Sequence, residues 1–151
     1  MQSWMGEERG CRLLSKRIAV AIDFDGTLCR DVFPGIGKPV DEAIDFCDWC
    51  KERNIALILW TCRTGKDLEE ALWWCKFRWV YFDEVNQNLP DWVESFKEFR
   101  PGVPPDCRKV AADVYIDDKA NGGVIEWEKI KERLNTLMKE NPLYNGYLTT
   151  H

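Results

Sequence analysis

Two short, continuous apolar segments constrain the fold of this chain more than any other feature. Residues 18–24 and 55–60 are rich in Val, Ile, Leu and Ala, and they lack the polar–apolar alternation of a half-exposed strand. Strands of this kind are buried on both faces, which occurs almost only in parallel sheets that carry helices on both sides. The sequence therefore predicts an α/β fold, with a mostly parallel central sheet in a three-layer, Rossmann-like arrangement.

Helical periodicity follows each of these two strands. Pro39 suits the first turn of a helix that runs to about Arg53, and Thr64 is a plausible N-cap for the next helix. The remaining predicted elements are, in chain order, a strand at 80–85, a helix at 91–99, a strand at 110–116 and a helix at 126–140. The length of 151 residues and the 45% hydrophobic content predict a single domain over 1–151, with 1–17 and 141–151 peripheral.

Composition excludes several classes of function. The net charge of −5 gives no strong evidence for nucleic-acid binding, and no apolar run reaches bilayer length, so we expect a cytoplasmic protein without a membrane partner. Seven scattered cysteines indicate reduced thiols, and the Cys47–Cys50 pair lacks a second pair at zinc spacing. The only histidine is the terminal His151, so histidine-based catalysis has no candidate base. Three tryptophans, Trp73, Trp74 and Trp79, are expected to pack on the sheet.

Acidic residues follow the first and last predicted strands. Asp23 and Asp25 end the segment I-A-V-A-I-D-F-D-G-T-L, and Asp117 and Asp118 end V-Y-I-D-D. The second strand delivers Thr61. Because ligands of open α/β sheets bind beyond the carboxyl ends of the strands, we expect these side chains to share one crevice. Crowded carboxylates repel one another unless a cation binds, and an oxygen-only ligand set indicates Mg²⁺ and a phosphate substrate.

The ordered set of motifs resembles the haloacid dehalogenase (HAD) superfamily over residues 18 to about 123. D-F-D-G-T matches the first motif, Thr61 in L-I-L-W-T-C-R the second, and Asp117-Asp118 in Y-I-D-D the fourth. The third motif is a lone lysine before the last strand. Lys109 is the position that fits best, with Lys97 and Lys119 as alternatives.

The resemblance implies a role for each of these residues. Asp23 would be the nucleophile that forms an aspartyl-phosphate, and Asp25 would be the general acid and base. Thr61 and Lys109 would bind the phosphate. The Mg²⁺ ligands would be Asp23, Asp25 through its backbone carbonyl, Asp117 and Asp118, with Asn121 possible in the same shell.

Only about a dozen residues separate Thr27 from Pro39, so the sequence predicts a small flap hairpin and no substantial cap domain. An open site of this kind suits an extended or macromolecular phosphate, such as a phosphorylated nucleic-acid end or a phosphoprotein. A small phosphorylated molecule fits equally well if another subunit of a homo-oligomer supplies a lid. Arg30, Phe33, Arg63 and Arg100 are treated as ordinary surface residues that could line the mouth. The alternatives to a phosphatase are a phosphotransferase, a receiver-type signalling module and a catalytically silent binding domain.

Overall fold

The computed structural model describes residues 17–105 and 107–141, and it confirms the α/β class. Four strands form one all-parallel sheet in the order β3-β2-β1-β4, with β1 at Ala19–Ile22, β2 at Ala56–Leu59, β3 at Glu84–Val85 and β4 at Val114–Ile116. Within these two described ranges, four helices alternate with the strands: α1 at Asp41–Glu52, α2 at Gly65–Lys76, α3 at Pro90–Phe99 and α4 at Trp127–Glu140. A short 3₁₀ turn, Asn121–Gly123, follows β4.

Two hydrophobic layers cover the sheet. On one face, Val20, Ile22 and Leu59 pack with apolar residues of α1, α2 and α4. On the other face, Ala21 and Ile58 pack with α3 and the segment before it. The fold therefore has three layers, as predicted for strands that are buried on both sides. No helix in the described part of the chain is long and apolar enough to cross a membrane.

Strands β3 and β4 are shorter than the predicted ranges 80–85 and 110–116. At the start of the predicted range 80–85, the Val80 N–H instead donates to the carbonyl of Cys75 and so closes the end of α2. Before β4, the Asn88 side chain accepts the Ala111 N–H at 2.6 Å, and the Asp113 carboxylate accepts the Ala19 N–H at 2.9 Å. At these positions, side chains and a helix end accept the backbone N–H hydrogen bonds that the apolar pattern predicts between neighbouring strands.

The flap is small, as predicted. After Asp25, the chain turns and returns through a pair of backbone hydrogen bonds, Arg30 N–H to Lys38 O at 2.8 Å and Val40 N–H to Leu28 O at 2.9 Å. No cap domain is inserted in residues 17–105 or 107–141. The predictions for the two termini and for Cys11 concern residues that mostly lie outside the described ranges.

The predicted cysteine state agrees with the described residues. Cys47, Cys50 and Cys75 are buried free thiols, and burial raises the pKa of Cys50 and of Cys75 to about 12. Protonated, buried thiols are poor nucleophiles and poor metal ligands. The C-D-W-C pair is therefore part of the core.

The prediction that three tryptophans pack on the sheet is correct only for Trp74, whose ring meets Phe24 edge to face at 5.4 Å. Trp73 and Trp79 are 59% and 70% exposed. Trp73 lies two residues from the buried Ala71, which places it about 200° away around α2 and on the solvent side. The presence of an aromatic residue on or beside a helix therefore does not predict whether its side chain packs on the sheet.

Candidate metal and phosphate site

The register of the sheet brings Asp23 and Asp117 together. Ile22 of β1 pairs with Ile116 of β4, and the Asp23 N–H donates to the Ile116 carbonyl at 2.9 Å. Because β1 and β4 are parallel, the residues that follow them, Asp23 and Asp117, lie at the same carboxyl edge of the sheet. Carboxylate oxygens from Asp23, Asp117 and Asp118, one from each residue, lie within 4.8 Å of one another. The sequence prediction of a shared acidic site is met for these three residues.

Thr27 joins the two acidic motifs. Its buried hydroxyl donates to Asp23 Oδ2 at 3.1 Å and accepts the Asp118 N–H at 3.0 Å. Because one hydroxyl serves both groups, the turn after β1 is fixed relative to the turn after β4. The sequence indicates Thr27 only as part of the D-F-D-G-T motif, because its linking role depends on a contact with a residue 91 positions away.

Gly26 allows Asp118 to approach this turn. Its φ of +87° lies in the left-handed region that favours glycine, and a Cβ built on it would collide with the Asp118 carboxylate. The glycine of the D-x-D-G-T motif is therefore required both by the backbone conformation and by the acidic residue that packs against it.

The chemistry of the cluster fits a hard divalent cation. Asp118 Oδ1 is buried, and while the aspartates are ionised it has no hydrogen-bond partner among the described residues. A buried carboxylate oxygen without a donor is costly, and a cation would satisfy it. The cluster offers oxygen ligands only, which is the set that Mg²⁺ prefers.

The pKa shifts within the cluster, in the absence of a cation, also favour cation binding. Burial, the neighbouring Asp117 carboxylate and a hydrogen bond with Asp118, in that order of importance, together raise the pKa of Asp23 to about 7. Burial also opposes ionisation of Asp118, but hydrogen bonds from Lys119 and from Asp23 outweigh it and lower the pKa of Asp118. The site thus retains a proton on Asp23 where a cation would replace it.

Asp25 does not join this cluster. Its two carboxylate oxygens accept hydrogen bonds from Arg63 Nε and Nη2, each at 2.8 Å, in a bidentate ion pair. The Asp25 carboxylate is therefore held by Arg63 and is not among the clustered carboxylates. The resemblance assigned metal binding to its backbone carbonyl, and that prediction stays untested.

The treatment of Arg63 as a surface residue is wrong, because its side chain is only 1% exposed. Besides Asp25, its guanidinium donates to the carbonyls of Pro34 at 3.1 Å, Gly35 at 2.7 Å and Asp67 at 3.3 Å. The ion pair with Asp25 raises the pKa of Arg63. The signal that could have indicated it is the position of an arginine two residues after Thr61, directly beyond a buried strand.

Thr61 lies at the carboxyl end of β2, and its hydroxyl accepts the Arg63 N–H at 3.1 Å. Asn86, which follows β3, holds the Thr61 backbone through two hydrogen bonds, one accepted at 2.8 Å and one donated at 3.0 Å. The sequence pattern does not indicate Asn86 as a residue of the site. Its φ of +55°, a conformation that asparagine tolerates better than most residues, places its amide across the β2–β3 edge.

Among the three candidate lysines, Lys119 is the one that the structure places at the aspartates. Lys119 Nζ lies 2.9 Å from Asp118 Oδ2, and this hydrogen bond raises the pKa of Lys119. Lys109 Nζ instead lies over the Tyr115 ring, 4.9 Å from its centroid, beside a cavity lined by Ala19 and Asp113. That cavity is at the amino ends of β1 and β4, so the preferred position of the phosphate lysine is not supported. Lys97 is exposed in the last turn of α3.

A cavity of about 460 Å³ opens beside Asp117, between the edge strand β4 and α4. Asn121 lines it together with apolar residues and the basic Lys129 and Arg133. Asn121 is thus close to the acidic site, as expected, while no contact fixes it as a ligand.

The fold and the site define an α/β protein with a parallel sheet and a cluster of aspartates at its carboxyl edge. No known protein-family profile and no curated protein matches the chain. It is similar to the solved structure of a conserved protein coded by a locus of Bacteroides thetaiotaomicron, with 32% sequence identity and a TM-score of 0.65. The match covers 80% of this chain and 91% of the other, so the chain belongs to the family of that conserved protein.

Proposed function

We propose that this protein is a Mg²⁺-dependent phosphatase, a small capless member of the HAD superfamily that hydrolyses a phosphomonoester through an aspartyl-phosphate. The observation that carries the proposal is the cluster of Asp23, Asp117 and Asp118, in which a buried Asp118 oxygen has no hydrogen-bond partner in residues 17–105 and 107–141. Three carboxylates in this geometry call for a cation, and the D-F-D-G-T segment supplies a carboxylate suited to attack phosphorus.

Asp23, Asp117 and Asp118 would hold the Mg²⁺, with the Asp25 carbonyl as a further ligand. When bound, Mg²⁺ would reduce the repulsion between the Asp23 carboxylate and a phosphate dianion. Thr27 orients Asp23 by donating to one of its oxygens.

In the first step, an Asp23 oxygen forms a bond to phosphorus while the ester P–O bond breaks, and the leaving oxygen takes up a proton. In the second step, water attacks the phosphorus of the aspartyl-phosphate, which releases inorganic phosphate and restores the Asp23 carboxylate. Thr61, at the carboxyl end of β2 on the same edge of the sheet, and Lys119, at Asp118, would bind the phosphoryl oxygens.

Asp25 is the proposed proton donor to the leaving oxygen and the proton acceptor from water. In the structure, its carboxylate is held by Arg63. Proton transfer by Asp25 therefore requires that this pair open or shift when substrate occupies the site.

The proposal is tested by phosphate release from a generic aryl phosphate with Mg²⁺. We expect turnover that chelation with EDTA abolishes, and Asp23→Asn should reduce it by roughly a thousand-fold or more. Asp45→Asn, an exposed aspartate on α1, is the matched control and should retain activity. A panel of sugar phosphates, nucleotides, phosphorylated nucleic-acid ends and phosphopeptides would then define the substrate. If Asp23→Asn turns over as fast as the parent, the nucleophile is wrongly assigned.

A further inference from the structure

An aromatic surface on α2 and the turn after it faces solvent. Trp73, Phe77 and Trp79 are 59%, 78% and 70% exposed, and the rings of Trp73 and Phe77 contact each other with centroids 6.2 Å apart. We call Trp73 and Phe77, whose rings are in contact, the α2 aromatic face. Large exposed aromatic side chains that lie together mark interaction surfaces, because their burial in a complex removes much apolar area from water.

Charged residues of opposite sign flank Trp73 along α2. Glu69 and Glu70 are exposed one turn before it, and Lys76 follows one turn after it. Lys76 Nζ lies 4.9 Å from the centroid of the Trp73 ring, so its side chain is on the aromatic face. Glu70 and Lys76 are each three residues from Trp73, on opposite sides along the helix axis.

This arrangement is self-complementary under a two-fold rotation. If a second α2 packs antiparallel with its Trp73 against the first, Glu70 of each copy faces Lys76 of the other. We propose that the α2 aromatic face binds a second copy of this chain and forms a symmetric dimer about Trp73. The aromatic rings supply the apolar centre, and the two Glu70–Lys76 pairs set the antiparallel direction.

Nucleic acid and anionic membranes fit this surface less well. Both require a basic field, but Glu69 and Glu70 border the aromatic rings. The nearby Arg78 is engaged within its own chain, because its guanidinium lies 3.9 Å from the centroid of the Trp74 ring and donates to the Trp74 carbonyl.

The surface is separate from the aspartate cluster. Helix α2 begins two residues after Arg63, and Trp73 lies about 12 Å further along the helix axis. The inference therefore does not depend on the proposed phosphatase activity, and its test requires no substrate.

The test is sedimentation velocity of the full chain across a concentration series. We expect a species with twice the 17.7 kDa chain mass, and Phe77→Asp should give the monomer. Glu70→Lys and Lys76→Glu should each weaken association on the order of ten-fold, since each places like charges opposite at two symmetric positions. The double variant should restore the parental dissociation constant.

Phe99→Asp is the matched control, because Phe99 is an exposed aromatic on α3, in the layer on the other side of the sheet. Circular dichroism of every variant separates a lost interface from a lost fold. A monomer at all concentrations, or a dimer that survives Phe77→Asp, overturns the proposal. Failure of the double variant to recover overturns it as well. Binding of the parent monomer to phosphatidylserine vesicles or a thymidine oligonucleotide, abolished by Phe77→Asp, would assign the face to that partner instead.

Discussion

Two small residues, Gly26 and Thr27, allow acidic groups from both ends of the sequence to share one site. Gly26 leaves space for the Asp118 carboxylate, and Thr27 hydrogen-bonds to both Asp23 and Asp118. Neither residue carries charge, yet together they hold like charges close to one another. The turn after β1 therefore fixes the positions of Asp23 and Asp118 relative to each other, which makes the turn sensitive to substitution.

Gly26→Ala should destabilise the protein by about 2–4 kcal/mol, because it adds strain at positive φ and displaces Asp118. Gly102→Ala is the matched control, since Gly102 also has positive φ, +80°, but open space where its Cβ would be. It should cost about 1 kcal/mol. Urea unfolding of both variants measures the difference. Equal losses would show that Asp118 does not pack against Gly26 as described.

Arg63 connects secondary-structure elements that the sequence separates. It follows β2, holds Asp25 after β1, and donates to carbonyls of the flap and of the first turn of α2. A lysine could not reproduce this set, because its ammonium lacks the planar fork that binds a carboxylate through two parallel hydrogen bonds. Arg63 is thus a positioning residue for Asp25 and for the flap.

Arg63→Met should cost about 3 kcal/mol in unfolding free energy, since it leaves the Asp25 carboxylate without its partner. Arg63→Lys should recover only part of that loss. The double variant Arg63→Met with Asp25→Asn should be more stable than the sum of the single effects predicts, and denaturant unfolding of the full cycle measures this coupling. Simple additivity would indicate that the pair contributes little to stability.

Across the entire protein, the aspartate cluster links stability to pH. If the proposed Mg²⁺ binds there, the cluster also links stability to metal. Without Mg²⁺, burial and the neighbouring carboxylates raise the pKa of Asp23 from 3.8 to about 7. In that pH window, the folded protein keeps a proton that the unfolded chain has lost. Folding is therefore favoured at the acidic end, and this contribution is lost as pH rises through about 7. Asp118, whose pKa is lowered, acts in the opposite sense only as pH falls below about 4.

We expect the metal-free protein to lose stability between about pH 4 and about pH 7 more steeply than Asp23→Asn, which has no proton to release. Saturating Mg²⁺ should stabilise the parent most at the alkaline end, because the metal competes with the Asp23 proton. Thermal unfolding with EDTA and with Mg²⁺ at several pH values measures both effects. Identical pH profiles for the parent and Asp23→Asn would contradict the raised pKa.

The predicted strands and helices agree with the structure wherever periodicity is strong. The segments 18–24 and 55–60 contain β1 and β2, and the predicted helix at 126–140 contains α4. The prediction failed at 80–83 and 110–113, where side chains and helix ends take the backbone hydrogen bonds. Such competition depends on partners that are distant in sequence, and local apolar spacing carries no information about it.

Local sequence patterns are sufficient to predict the α/β class and the arrival of Asp23, Asp117 and Thr61 at one edge of the sheet, because parallel strands end on the same side. Which side chains meet there depends on tertiary contacts. It placed Asp25 on Arg63 and Lys119 on Asp118. Side-chain pairing depends on distances between residues far apart in the chain, whereas strand and helix patterns depend on neighbours.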